Sequence, residues 1–254
     1  MTANMIARML DCGEQALIVE FGDSIDPAIN ARVHQLARRL NESASTGILE
    51  IIPTYRSIMV RFDPLVQRRE DLKNEIAEQG ASLDESSTSV QGNITLIPVA
   101  YGGEFGPDLD FVANHNGLSP QEVIELHTAT PCLVYMLGFT PGFPYLGGMS
   151  PRLVTPRLEQ PRQRIPAGSV GIAGAQTGIY PIESPGGWRL IGRTPLTLFS
   201  PRSPQPFLFA AGDYLQFAAI TSEEFAAIAK EVSAGLYTPQ VRQIPQGGPD
   251  VHGA

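Results

Sequence analysis

Residues 138–193 read GFTPGFPYLGGMSPRLVTPRLEQPRQRIPAGSVGIAGAQTGIYPIESPGGWRLIGR. An ordinary loop mixes small polar residues, but this stretch interleaves glycine and proline with aromatics and arginines. Pro141-Gly142 and Pro185-Gly186 each suit a type II turn, with proline at the second position and glycine supplying a positive φ at the third. Stiff turns of this kind place Phe139, Phe143, Tyr145 and Trp188 on surface-reaching loops, where they form a partner surface or line a pocket. The alternative is that the same rings plug the ends of a barrel.

Outward from this stretch, from about residue 92, helical signals are sparse and short apolar runs recur. The runs at 94–99, 133–137, 170–173, 196–199 and 214–219 are strand candidates. Many short strands separated by Gly/Pro turns predict a closed or nearly closed β-barrel. Two helices interrupt it, each opened by a capping box: Ser119 with Glu122, and Thr221 with Glu224. The tail at 237–254 is rich in glycine, proline and glutamine and reads as disordered.

The first 83 residues differ. A strand at 16–19 ends near Phe21, and Asp26-Pro27 gives an N-cap with proline at the first helical position. Ile29, Val33, Leu36, Ala37 and Leu40 follow at helical spacing. Runs at 48–52 and 57–62 flank a short turn and predict a hairpin. Asp63-Pro64 repeats the helix-start signal, and Gly80 closes that helix. This order makes a small split α/β domain over 1–83, a polar linker over 84–91 and a barrel domain over 92–236, an α+β chain in all.

Charge and cysteine usage set bounds. The formal net charge is −8, which disfavours nucleic acid as a partner. Cys12 and Cys132 lie far apart, with neither metal-ligand spacing nor a disulfide framework, as suits a reducing compartment. The N-terminus lacks the apolar core of a signal peptide, and no apolar run approaches the roughly 18 residues that span a bilayer. A cytoplasmic protein without a membrane segment is expected.

Lys73 and Lys230 are the only lysines, while seven arginines fall between Arg152 and Arg202. A guanidinium is a planar fork of donors matched to carboxylate and phosphate. Arg157, Arg162, Arg164 and Arg193 must therefore be solvated, paired with Glu159 or Glu183, or turned to an anionic ligand. Among the histidines His127 is the best placed for chemistry, at the end of a helix and just before an apolar strand. The sequence around Ser169, AGSVG, approximates a nucleophile elbow, but no helix signal follows it. No Gly-Lys-Ser/Thr is present, so there is no P-loop.

The motifs GFTPGFPYLGGM at 138–149, PAGSVGIAG at 166–174, QTGIYP at 176–181, ESPGGW at 183–188 and GRTP at 192–195 resemble those of the allophanate hydrolase subunit 1 family. That family includes the 5-oxoprolinase B subunit (PxpB) and the kinase inhibitor KipI. The resemblance covers about residues 5–235 and implies a cyclophilin-like fold for the barrel. It implies a subunit of an ATP-dependent 5-oxoprolinase, which converts 5-oxoproline with ATP and water to L-glutamate, ADP and phosphate. It also implies two partners: an allophanate hydrolase subunit 2-like protein of the PxpC/KipA type, and a PxpA-like protein.

Carried onto this chain, the chemistry asks for cationic clamps, for which Arg157, Arg164 and Arg193 are the candidates. His127 or Glu183 would move protons. Gln176 and Tyr180 would orient the lactam or water, and Phe139, Phe143, Tyr145 and Trp188 would line the pocket or meet the partner. The family admits two other readings: a KipI-like inhibitor of a sensor histidine kinase, and half of a biotin-dependent urea or amide carboxyltransferase. ATP is the expected cosubstrate, held here or on a partner, and no metal is expected.

Overall fold

The computed structural model describes residues 6, 8–43, 45–83 and 93–243. The chain divides into two compact units, 1–90 and 91–254. The expected linker at 84–91 lies outside the described residues, as do residues 244–254 of the expected tail.

In the first unit four strands, β1 (Arg8–Asp11), β2 (Ala16–Glu20), β3 (Ile48–Pro53) and β4 (Ser57–Phe62), form an antiparallel sheet in the order β1-β2-β4-β3. Helix α1 (Pro27–Glu42) carries the chain from β2 past β4 to β3, which makes the split arrangement. The Asp26 carboxylate accepts the amides of Ala28 and Ile29 at 2.8 and 3.1 Å, the N-cap expected from Asp-Pro. Val33, Leu36, Ala37 and Leu40 form the buried stripe of α1. They pack with Leu17, Val19, Ile58 and Val60 of the sheet and Leu72 and Ile76 of α2 (Arg69–Ala81).

The second helix starts later than Asp63-Pro64 suggests. The Asp63 side chain accepts Leu65 N, and its carbonyl accepts Val66 N and Gln67 N. The aspartate thus closes a turn, and the helix begins five residues beyond the proline.

The second unit is a closed barrel. Strands β5 (Asn93–Tyr101), β6 (Cys132–Leu137), β7 (Pro144–Gly147), β9 (Ser169–Ala173), β10 (Gln176–Ile179), β12 (Arg189–Arg193) and β13 (Tyr214–Ile220) run β12-β9-β10-β7-β6-β13-β5, and β12 pairs back onto β5. The closing strand β5 is long enough to serve three neighbours: β13 in parallel over seven register pairs, β12 at Ala100 and Tyr101, and β14 (Val241–Gln243) at residues 93–95. The expected tail therefore contains a paired strand, because the β5 edge offers backbone groups that Val241–Gln243 satisfy.

Side chains alternate across the wall. Val134, Leu146, Val170, Ile172, Ile179 and Phe217 face the main core. Helices α3 (Leu109–Asn116), α4 (Pro120–Ala129) and α5 (Ser222–Ser233) accompany the barrel, and the capping boxes at Ser119 and Thr221 form as expected. A separate two-stranded ribbon, β8 (Arg162–Ile165) with β11 (Ser184–Gly186), is built from the special stretch. Residues 196–199 form only a bridge, Phe199 to Phe207, rather than a strand. Prolines 195, 201, 204 and 206 remove the donors that a ladder there would need. Among the described residues no helix is long and apolar enough to cross a membrane.

Candidate functional site

The special stretch lays a second, smaller core on the far face of the barrel wall. Val170 and Ile172 point into the barrel, so Gly171 and Ala173 point the other way, and Ala173 belongs to a cluster of Phe143, Ile165, Tyr180, Trp188 and Leu190. The rings pack edge to face, Phe143 against Tyr180 at 5.3 Å and against Trp188 at 5.4 Å. Glycine makes room for them: a Cβ at Gly178 would sit 3.0 Å from both Phe143 and Trp188.

Of the two proline-glycine pairs only one is the expected turn. Gly142 has φ 83°, and Phe143 N–H donates to Thr140 O. Pro185-Gly186 instead belongs to β11, where Gly186 serves close approach, because a Cβ there would meet the Tyr180 hydroxyl.

The rings thus divide by exposure. Phe143, Tyr180 and Trp188 are buried, Tyr145 is half-buried, and Phe139 is exposed at the loop tip, edge-on to Phe143 at 5.6 Å. Phe139 is the only described non-glycine residue with positive φ, 65°. A side chain rarely adopts that conformation, and such strain gathers at functional loops. The rings neither plug the barrel nor stand fully on the surface; they form a floor outside it.

Arg157 sits at the edge of this floor, its guanidinium carbon 6.0 Å from the Trp188 ring. Burial raises the pKa of the Tyr145 phenol, opposed by the charge of Arg157. Tyr180 is pushed up to about 12, again first by burial, with the Trp188 backbone N–H and the charges of Arg157 and Arg162 opposing. Both phenols therefore stay protonated and able to donate at neutral pH. Arg157 makes no salt bridge with a described residue.

Arg162 is spoken for. It donates to Asp108 Oδ1 at 2.9 Å and to Trp188 O at 3.4 Å, while Asp108 Oδ2 accepts Leu190 N–H at 2.7 Å. This buried carboxylate ties the ribbon and the Trp188 main chain to the start of α3. Asp108 precedes a helix yet makes no cap bond, so its sequence position misrepresents its task. Arg164 pairs with Glu183 at 2.6 Å, and both are well exposed. A pair so open to water is worth at most about 1 kcal/mol, so an incoming anion can separate it.

Two of the expected site residues, His127 and Arg193, lie elsewhere. His127 is buried in the barrel unit, stacked on Phe217 at 4.3 Å. Thr177 donates to Gly171 O at 3.1 Å, so its oxygen is free to accept from His127 Nε2 at 2.8 Å. His127 Nδ1 then accepts the Tyr101 hydroxyl at 2.8 Å. Burial drives the imidazole down to about 3, so it is neutral at pH 7, and both its nitrogens are used within the fold. Gln176, by contrast, opens β10 opposite Ala173, so its side chain leaves the wall on the floor side. Arg193 ends β12, opposite Ser169, with its guanidinium over Phe105 at 5.7 Å. The site therefore gathers Arg157, Tyr145, Tyr180, Trp188, Phe143 and Phe139, with Gln176 on the same face of the wall and the Arg164–Glu183 pair on the adjoining ribbon. Among the described residues no group of three or more His, Cys, Asp or Glu side chains could hold a metal ion.

Comparison with known proteins gives the family and the fold. A family model described as carboxyltransferase domain, subdomain C and D, matches residues 7–209. The 5-oxoprolinase B subunit of Bacillus subtilis is 46% identical over 229 residues, covering 86% of this chain and 95% of that protein. The crystallised protein TTHA0988 is 36% identical with a TM-score of 0.73; the match covers 82% of this chain but spans only 41% of that longer one. The urea amidolyase of K. lactis shares the fold with a TM-score of 0.79 at 23% identity, over 94% of this chain and 17% of its own.

Proposed function

Because the chain belongs to the family of carboxyltransferase domains, subdomain C and D, we propose that it is the B-type subunit of an ATP-dependent 5-oxoprolinase. The observation that carries this reading is the 46% identity spread over 95% of the Bacillus subtilis protein. A likeness of that extent covers both units of the chain and not the barrel alone.

The reaction opens a lactam, a stable amide. Transfer of the terminal phosphoryl group of ATP to the lactam oxygen makes its carbon electrophilic; one water adds there and the C–N bond breaks to give the open-chain acyl phosphate, and a second water then releases phosphate and leaves L-glutamate. Arg157 is the group in this chain best suited to the substrate carboxylate. It has a ring beneath it, two protonated phenols beside it and no acidic partner among the described residues. Arg164 and Glu183 adjoin it as an openable pair. His127 is assigned no proton transfer, because its two nitrogens already hold the barrel interior together.

Phe139 stands exposed beside the floor, on a strained loop that nothing in this chain covers among the described residues. We assign completion of the site to partner chains: the subunit that supplies the rest of the carboxyltransferase-like unit, and a PxpA-like protein. In TTHA0988 and the urea amidolyases the matching segment is part of a much longer polypeptide, which supports the need for neighbours. We assign the ATP site to that assembly and the assembly to the cytoplasm.

Phosphate release from ATP, followed with and without 5-oxo-L-proline, tests the reading. Release should require the substrate and all the partner subunits. Release that instead depends on a biotinylated carrier and urea would favour the carboxyltransferase reading that the family description also permits. No release under either condition would overturn both.

A further inference from the structure

We propose a second anion-binding position in the barrel unit, where the first residue of β9 meets the last of β12 and an oxyanion bridges Ser169 and Arg193. The two residues are direct cross-strand partners, so their side chains leave the same face of the sheet. Val170 and Ile172 belong to the barrel core, which puts Ser169 on the opposite, outer face.

Both residues carry a buried polar atom without a partner. Ser169 has no exposed surface at all, and its hydroxyl makes no hydrogen bond; the Nε of Arg193 is likewise buried and unbonded. Among the described residues Arg193 makes no ion pair, and its one contact of note is the Phe105 ring. Native interiors leave few donors in this state, and two side by side on paired strands are unusual. The main chain does not let them relax apart. Gly168 sits at φ 81° in a turn so tight that a Cβ would lie 2.3 Å from Thr194 O, and Thr194 N–H donates to Gly168 O.

What the pair lacks is an acceptor. A guanidinium N–H can only donate, and the serine hydroxyl is free to donate in the same direction. The ligand that completes it is therefore an oxygen-bearing anion, planar or tetrahedral, rather than a cation or an apolar group. On the reading above, it comes from one of two sources: a phosphoryl group of the nucleotide or the carboxylate of the lactam acid. The position itself does not depend on that reading. An active complex with no anion effect here would remove the position alone, and an anion effect in a chain that supports no turnover would remove the function alone.

Thermal unfolding of the intact chain tests it. The probes are inorganic phosphate, ADP and 5-oxo-L-proline, each against chloride at matched ionic strength. At a concentration well above its dissociation constant the correct probe raises the midpoint by several degrees. Ser169→Ala removes a hydroxyl without a partner, so that chain should fold and, in chloride, unfold at the same temperature or higher. Its affinity for the probe should fall at least tenfold, and Arg193→Gln should abolish the shift. A shift with phosphate or ADP assigns a phosphoryl source, and a shift with 5-oxo-L-proline alone assigns the carboxylate. Identical midpoints in all four solutions would leave a bridging water as the only occupant, and a full shift retained in Ser169→Ala would put the anion somewhere else; either result overturns the proposal.

Discussion

The barrel interior and the outer aromatic floor use the same kinds of residue and leave them in opposite states. Inside, Tyr101, His127 and Thr177 form a chain in which each donor finds an acceptor, ending on the carbonyl of Gly171. Outside, Arg157 lies over Trp188 and acts on the Tyr145 and Tyr180 phenols, and its charge meets no carboxylate among the described residues. Aromatic and titratable residues alone therefore do not mark a site. Whether a charge is left without a counter-charge does: a closed network stabilises a fold, and an unpaired guanidinium has capacity left for a ligand.

The sharpest way to break this contrast is to damage each region and ask which property changes. Replacing His127 by leucine strands the Tyr101 hydroxyl and the Thr177 oxygen in an apolar interior. It should lower unfolding stability by about 3 kcal/mol, read from urea melts, while the folded fraction keeps its turnover. Replacing Arg157 by alanine should do the reverse. Loss of a charge-assisted contact to substrate should cut kcat/KM of the reconstituted complex roughly 100-fold, with stability unchanged to within about 0.5 kcal/mol. If Arg157→Ala melts the chain and His127→Leu spares it, the assignment of the two regions is inverted.

A smaller effect separates them by pH. The imidazole of His127 titrates near 6.5 when unfolded and is held down to about 3 in the fold. Its neutral form is what the fold binds, so its contribution is fully present above pH 6.5 and drains away as the pH falls toward 3. Between pH 7 and pH 5 the loss should be about 2 kcal/mol. Melts of the natural chain should show it, and melts of His127→Leu should lack that component. A natural chain equally stable at both pH values would show that the interior network admits a proton.

Signals in the sequence are legible where the structure they specify is local. Asp26-Pro27, Ser119 with Glu122, and Thr221 with Glu224 each cap a helix within four residues of themselves. Apolar runs announce β5, β6, β9 and β13. The strands β8, β10, β11 and β12 carry no such run, because arginine, glutamine, glycine and other non-apolar residues break up their few apolar ones and pairing with distant partners defines them. Asp63-Pro64 resembles a helix start yet closes a turn, and Asp108, directly before α3, uses its carboxylate to hold an arginine 54 residues away. The interleaving of rings and arginines in 138–193 locates the floor. Which ring is buried and which arginine is free depends on which face of the wall each strand presents, and no single stretch of sequence records that.

The chain contains one tryptophan, and the fold sets it in the aromatic floor with a guanidinium above it and its main chain fastened through Arg162 to Asp108. All indole fluorescence of the molecule thus originates at one address. A titration followed by emission alone, with no label attached, reads the occupancy of that address and nothing else in the chain.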